Sequence, residues 1–130
     1  MTERQECSCG KICYNLVFPC SGAADVGAIA DQAARTLSHK KAAFMCCTTG
    51  IAAEIPELLE KAAFASKIVV IDGCDKDCAR KILDKAGFTD HAHIELGALS
   101  MEKAKTPVTS ENIEKVANVA AMALTGETRK

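Results

Sequence analysis

The sequence predicts an α/β fold: a single three-layer domain with a four-stranded, mainly parallel sheet and helices on both faces. Short apolar runs alternate with amphipathic helical repeats along the whole chain. This alternation is typical of parallel strands joined by right-handed helical crossovers. The length of 130 residues suits one ordinary domain with its own core.

Four short segments have the composition of strands. Residues 14–18, 42–46 and 68–71 are apolar runs, and the last contains only β-branched side chains, which is typical of a strand buried on both faces. Residues 91–96 instead alternate polar and apolar side chains, which predicts a half-exposed edge strand with His91 and His93 toward solvent rather than in a metal pair. The simplest order of the four strands is 2-1-3-4, as in flavodoxin-like sheets.

Helical repeats follow each of these strands. Apolar side chains recur at helical spacing in residues 26–37, 55–63, 79–86 and 113–124. Asp75 is the predicted N-cap of the third helix and Gly87 its terminating residue, while the fourth helix is predicted to begin near Thr109 or Ser110 and to end at Gly126. We expect a cysteine-bearing N-terminal arm over residues 1–12 and the α/β domain over residues 13–126.

Charge and aromatic content argue against several partners. Sixteen Lys and Arg balance seventeen Asp and Glu, and the chain has one Tyr, four Phe and no Trp. Neither a basic footprint nor stacking platforms for nucleic acid are therefore predicted. Residues 1–6 are polar rather than an apolar signal core, and no apolar stretch is long enough to span a membrane. We expect a cytoplasmic protein with no membrane partner.

Eight cysteines are the conspicuous feature of the composition. In a reducing compartment, clustered cysteines more often bind metal or perform redox chemistry than form disulfides. Cys20, Cys47 and Cys74 follow the first three predicted strands, whose carboxyl ends are neighbours in the 2-1-3 order. Cys78 lies four residues beyond Cys74 and is expected on the same face of the third helix. Four thiols so placed predict a tetrahedral metal site with zinc as the ion.

The remaining cysteines have weaker indications. Cys46 points away from Cys47 if both lie in a strand, so we interpret it as a packed thiol. Cys7, Cys9 and Cys13 have too few ligands to close a zinc site alone. They could form a second metal or thiol site with Cys46, a histidine or another subunit, or be only a thiol-bearing arm.

The loop after the first strand offers a further candidate. Ser21 and Gly22 precede a predicted helix, where backbone N–H groups could bind an anion. The Lys and Ser/Thr of a phosphate-binding loop are replaced by Ala28 and Ile29, so a tight strand-to-helix turn is the preferred interpretation. Asp72 is expected to cap a helix or bond to a loop rather than to ligate metal.

Several motifs together resemble the DGC-domain family, which is named for Asp-Gly-Cys and for which a four-cysteine zinc site is proposed. The matching segments are Phe18 to Gly27 (FPCSGAADVG), Cys47 to Ile51 (CTTGI), Ile71 to Cys78 (IDGCDKDC) and Lys105 to Thr109 (KTPVT). The resemblance implies zinc ligation by Cys20, Cys47, Cys74 and Cys78, in a family without an established activity. The chain departs from the family at Thr48-Thr49, where relatives more often carry Leu-Ala.

The leading hypothesis is a metal-binding protein whose partner is the ion itself, with a role in sensing, storage or delivery left open. A closed shell of four thiolates lacks the open position of catalytic zinc, so an enzyme is not indicated. The alternative is a thiol-redox or sulfur-transfer enzyme in which Cys20 or Cys78 is the nucleophile and Cys74 resolves it. An iron–sulfur protein is a third reading, because four thiolates also suit a cluster.

Overall fold

The computed structural model describes residues 5–6 and 12–125, with side chains described over residues 14–125. The strands in the described residues are β1 (Gln5–Glu6), β2 (Ile12–Cys13), β3 (Leu16–Pro19), β4 (Phe44–Met45), β5 (Ile68–Asp72) and β6 (Ala92–Glu95). The helices there are α1 (Asp25–His39), α2 (Thr48–Ala52), α3 (Pro56–Ala63), α4 (Cys78–Lys85) and α5 (Ser110–Leu124), with a 3₁₀ turn at Leu96–Leu99.

The predicted sheet is confirmed. Its strands run in the order β4-β3-β5-β6 and every neighbouring pair is parallel. Since these are the second, first, third and fourth predicted strands, the order is 2-1-3-4. The short strands β1 and β2 pair antiparallel in a separate two-stranded sheet, which the sequence pattern did not indicate.

The two faces of the sheet carry separate apolar clusters, which confirms the three layers. Val17, Val69 and Ile71 pack with α1 and α5 on one face. Leu16, Phe18 and Val70 pack with α2, α3 and α4 on the other. This division follows from the alternation of side chains along a strand, and it explains why β3 and β5 are apolar throughout.

The structure differs from the predicted helices at two places, the start of α4 and the presence of α2. The helix predicted from Asp75 begins instead at Cys78, because Asp77 has a left-handed backbone (φ 53°, ψ 44°) that cannot belong to the helix. A short helix, α2, follows Cys47 where no helix was predicted. Two other boundaries agree: Thr109 caps α5 by accepting the N–H of Asn112, and Gly87 follows α4 with a φ of 98°. Gly126, the predicted end of the last helix, lies outside the described residues.

The exposed placement predicted for His91 and His93 is wrong. Strand β6 does lie at the sheet edge, but only 6% of the His91 side chain and 22% of the His93 side chain are exposed. Both imidazoles pair with carboxylates that precede or lie within α4. The physical reason is that α4 covers this face of the sheet as far as the edge strand.

No helix in the described part of the chain is long and apolar enough to cross a membrane.

Candidate functional site

Three of the four cysteines predicted as metal ligands line one cavity at the carboxyl end of the sheet. The cavity has a volume of about 630 Å³, and Cys20, Cys47 and Cys78 are among its lining residues. They reach it from three parts of the chain: the loop after β3, the residue before α2 and the first residue of α4. Parallel strands bring these segments together because their carboxyl ends share one edge of the sheet.

Cys20 is held by the sheet itself. Its backbone N–H donates to the carbonyl of Ile71 at 2.7 Å, which extends the pairing of β3 with β5 by one residue. The side chain is partly buried and packs against both apolar clusters. The backbone bond and this packing therefore fix the position of Cys20 beside the cavity.

Cys47 is exposed and occupies the N-cap of α2. Its Sγ accepts the backbone N–H of Gly50 at 3.3 Å, as a polar N-cap side chain does. The hydroxyl of Thr48 donates to the carbonyl of Pro19 at 2.9 Å and ties the start of α2 to the end of β3. These two bonds orient the Cys47 sulfur beside the segment that carries Cys20.

Cys46 lines the same cavity but is buried, with 7% of its surface exposed. It packs in the apolar cluster with Leu16 and Phe18, as expected of a packed thiol. Burial raises the pKa of the Cys46 thiol, against a smaller opposing effect of Lys61. Cys46 is therefore held in its neutral form more firmly than a thiol in water would be.

Cys74 is not among the residues that line the cavity. It lies between β5 and α4, partly buried, and packs against the cluster formed by α1 and α5. The expectation that Cys74 and Cys78 share a helix face is wrong, because the helix begins only at Cys78. A turn separates them, in which the N–H of Asp77 donates to the carbonyl of Cys74 at 3.3 Å.

The segment Asp72-Gly73-Cys74 leaves the sheet here with a tightly constrained backbone. A Cβ placed on Gly73 would lie 2.7 Å from the carbonyl carbon of Val26 and 2.9 Å from the nitrogen of Gly27. Only glycine lets this turn pack against the first turn of α1. Comparison with known families finds a match to the DGC domain over residues 16–120, a range that includes this segment.

This chain belongs to the DGC-domain family.

Among curated proteins, this DGC-domain protein is similar to the anaerobic and virulence modulator AnvM of Pseudomonas aeruginosa. The two are 28% identical over 88 residues, which are 68% of this chain and 67% of AnvM. No solved structure gives a significant match.

A group that sequence reasoning missed lies beside the family motif. Asp72, Asp77 and His93 each offer a ligand atom, all within 4.8 Å of one another, and in the described residues no other three Asp, Glu, His or Cys side chains do so. No three of the four proposed cysteine ligands meet this 4.8 Å limit, so their sulfur atoms lie farther apart than the ligand atoms of Asp72, Asp77 and His93. Alternation along the chain from His91 into β6 places His91 and His93 on one face, and in a sheet covered on both sides that face is turned toward a helix. The predicted three-layer architecture therefore already implied that these two histidines face a helix and not solvent.

The Ser21 and Gly22 loop has an acidic neighbour. The Ser21 hydroxyl donates to Oδ1 of Asp31 at 3.0 Å, and Arg35 bonds the other oxygen of that carboxylate at 2.8 Å. A Cβ on Gly27 would lie 2.7 Å from the carbonyl oxygen of Gly22. The loop is therefore a tight strand-to-helix turn, as the sequence predicts. Anion binding there stays a prediction.

The cysteines of the N-terminal arm fall outside what the structure describes. Cys7 and Cys9 lie outside the described residues, and Cys13 ends β2 with its side chain outside them. A second metal or thiol site built from these residues and Cys46 stays a prediction.

Proposed function

We propose that this DGC-domain protein binds one zinc ion through Cys20, Cys47, Cys74 and Cys78. The observation that carries the proposal is the cavity lined by Cys20, Cys47 and Cys78, three thiols from three separate segments. Thiolates are ligands that zinc favours, and four of them form its common tetrahedral shell. When bound, the ion would cross-link the loops at the carboxyl end of the sheet.

Two residues compete for the fourth position. Cys74 lies in the loop that leads from β5 to Cys78, and the family resemblance implies it as a ligand. Cys46 lines the cavity but is buried among apolar side chains, and its raised pKa opposes the thiolate that zinc requires. We therefore propose Cys74 and treat Cys46 as the matched control.

Metal analysis of protein purified without oxygen tests this assignment. We expect about one zinc per chain, no visible absorption, and loss of zinc in Cys20→Ser, Cys47→Ser, Cys74→Ser and Cys78→Ser but not in Cys46→Ser. Loss of zinc in Cys46→Ser with retention in Cys74→Ser would contradict the proposed fourth ligand. A brown protein would indicate an iron–sulfur cluster, and a protein that takes up no metal would overturn the proposal.

For the biological role we propose sensing rather than storage or delivery. The relative AnvM is named as a modulator, and a closed thiolate shell offers no open position for catalysis. A sensor needs two metal-dependent states, so amide exchange in residues 72–80 should differ between the zinc-bound and zinc-free protein. Equal protection in the two forms would contradict a sensing role.

A further inference from the structure

Helix α4, which carries Cys78 as its first residue, does not cap its own N-terminus. Asp77 occupies the N-cap position but its side chain makes no capping hydrogen bond. The bonds come from Asp72 at the end of β5, whose two carboxylate oxygens accept the N–H groups of Ala79 at 2.8 Å and Arg80 at 3.0 Å. These are the second and third residues of the helix, whose N–H groups an N-cap side chain ordinarily satisfies. Cys78 is thus held between Asp77 and the two amides that Asp72 binds.

Asp72 is in turn held by the edge strand. Its side chain is 1% exposed, and Nε2 of His93 in β6 lies 2.9 Å from its Oδ2. The same nitrogen lies 3.6 Å from Oδ1 of Asp77. A buried carboxylate is costly unless donors surround it, and His93 supplies the donor from outside the helix. The imidazole therefore links strand β6 to Asp72 at the end of β5 and to Asp77 at the N-cap of α4.

The same three side chains could be read as a cation site, but the surrounding charges favour a hydrogen-bonded group. The guanidinium of Arg80 lies 3.0 Å from Oδ2 of Asp77 and already supplies positive charge. Both oxygens of Asp72 accept backbone N–H groups. Further positive charge at this point would be opposed by Arg80.

We propose that His93 is a positioning residue: by fixing Asp72 it sets the first turn of α4 and so the place of Cys78 at the thiol cavity. The effect on metal rests on the zinc site proposed above, whereas the effect on the first turn does not. Strand β6, which contributes no cysteine, would then control the geometry of the site. Removal of a direct hydrogen-bonding partner of a metal ligand commonly weakens affinity about 10- to 100-fold. His93 acts on Cys78 only through Asp72 and the first turn of α4, so we expect an effect at the lower end of that range.

The chain offers a matched control in His91. This residue lies immediately before β6, two residues from His93, and its Nε2 lies 2.9 Å from Oδ1 of Asp84 near the end of α4. His91→Ala removes an imidazole contact with Asp84 near the carboxyl end of α4. His93→Ala removes the contacts with Asp72 and Asp77, which lie at the end of α4 that begins with Cys78.

The first test uses the metal-free protein, so that it does not depend on zinc. Amide exchange of Ala79 and Arg80 should become about 5- to 10-fold faster in His93→Ala, because their acceptor is loosened. His93→Gln keeps an N–H donor at nearly the same reach and should restore most of the protection. His91→Ala should leave these two amides close to wild type. Equal acceleration in His91→Ala and His93→Ala, or no rescue by His93→Gln, would overturn the proposal.

The second test substitutes cobalt for zinc in the full-length chain. Cobalt bound to thiolates has visible bands that report the coordination geometry. We expect altered bands and about tenfold weaker binding in His93→Ala, with His93→Gln and His91→Ala near wild type. A wild-type protein that binds no cobalt or zinc would contradict the proposed function, while the exchange experiment would still judge the role of His93.

A direct assay separates positioning from metal ligation by the Asp and His side chains. Mn²⁺, which prefers oxygen and imidazole ligands, is added to the metal-free protein. We expect no change in the exchange of Ala79 and Arg80. Protection that rises with Mn²⁺ and is lost in His93→Gln would assign a cation to Asp72, Asp77 and His93, and would overturn the proposal.

Discussion

The carboxylate of Asp72 accepts the backbone N–H of Ala79 at 2.8 Å, so the last residue of β5 caps a helix that begins at Cys78. The next residue, Gly73, packs its backbone against the first turn of α1 where no Cβ fits. Cys74 then begins the turn to α4. The Asp-Gly-Cys motif that names the family thus connects the central strand β5 to α1 on one face of the sheet and to α4 on the other.

Replacement of Asp72 tests this capping role. Asp72→Asn removes the charge and one of the two acceptors, and it leaves His93 with only the more distant carboxylate of Asp77, at 3.6 Å. We expect the free energy of unfolding to fall by about 2 kcal/mol, measured by urea denaturation. Asp75→Asn, an exposed neighbour, should change it by less than about 0.5 kcal/mol. Equal stabilities of the two variants would contradict the capping role.

Glycine is required at Gly73 because of crowding and not because of a positive φ. In Gly73→Ala the new methyl would lie 2.7 Å from the carbonyl carbon of Val26, and backbone atoms cannot turn away as a side chain can. We expect a loss of about 1–3 kcal/mol in the free energy of unfolding. Gly22→Ala is the control, since its new Cβ would meet Cys20 Sγ at an ordinary 3.7 Å. A Gly73→Ala variant as stable as Gly22→Ala would show that α1 moves aside without cost.

The adjacent thiols Cys46 and Cys47 should react at very different rates. Burial raises the pKa of Cys46 and shields it, whereas Cys47 is exposed. In metal-free protein at pH 8, iodoacetamide should alkylate Cys47 at least about tenfold faster than Cys46, as read by fragmentation mass spectrometry of the shared peptide. In denaturant the two rates should converge, because the difference arises from folding. Equal rates in the native protein would contradict the placement of Cys46.

Asp25 should make stability depend on pH in the acid range. Its carboxylate accepts the N–H groups of Ala104 and Thr106, which hold its pKa below the ordinary 3.8. A carboxyl whose pKa is lowered by folding stabilises the fold above its unfolded pKa and loses that contribution as the pH falls through the folded pKa. Asp25→Asn should therefore show a shallower loss of unfolding free energy between about pH 4 and pH 2.

The measurement is urea denaturation across that range. Asp90→Asn, at an exposed position, controls for the loss of one negative charge. An Asp25→Asn variant with the same pH dependence as wild type would mean that the bonds to Ala104 and Thr106 do not contribute to folding stability.

The ends of helices were predictable where the residue that defines the end lies next to it in the sequence. The Thr109 cap and Gly87 each act within a few residues of the helix end they define, and both are visible as residue types. The start of α4 was not predictable in this way. Asp75 has the side chain of an N-cap, but the left-handed backbone of Asp77 and the distant carboxylate of Asp72 decided where the helix begins.

By itself the sequence determined the α/β fold and the positions of Cys20, Cys47 and Cys74 after three successive strands, because apolar periodicity and chain order are local properties. The 2-1-3-4 strand order was its simplest prediction, and the pairing of the strands decided it. Only the tertiary structure decided that Cys20, Cys47 and Cys78 line one cavity while Cys74 packs beside the core. It also decided that His93 meets Asp72, 21 residues away in the chain. The reason is physical: such contacts depend on how β5 pairs with β6 and on how α4 lies across the sheet, which no stretch of neighbouring residues specifies.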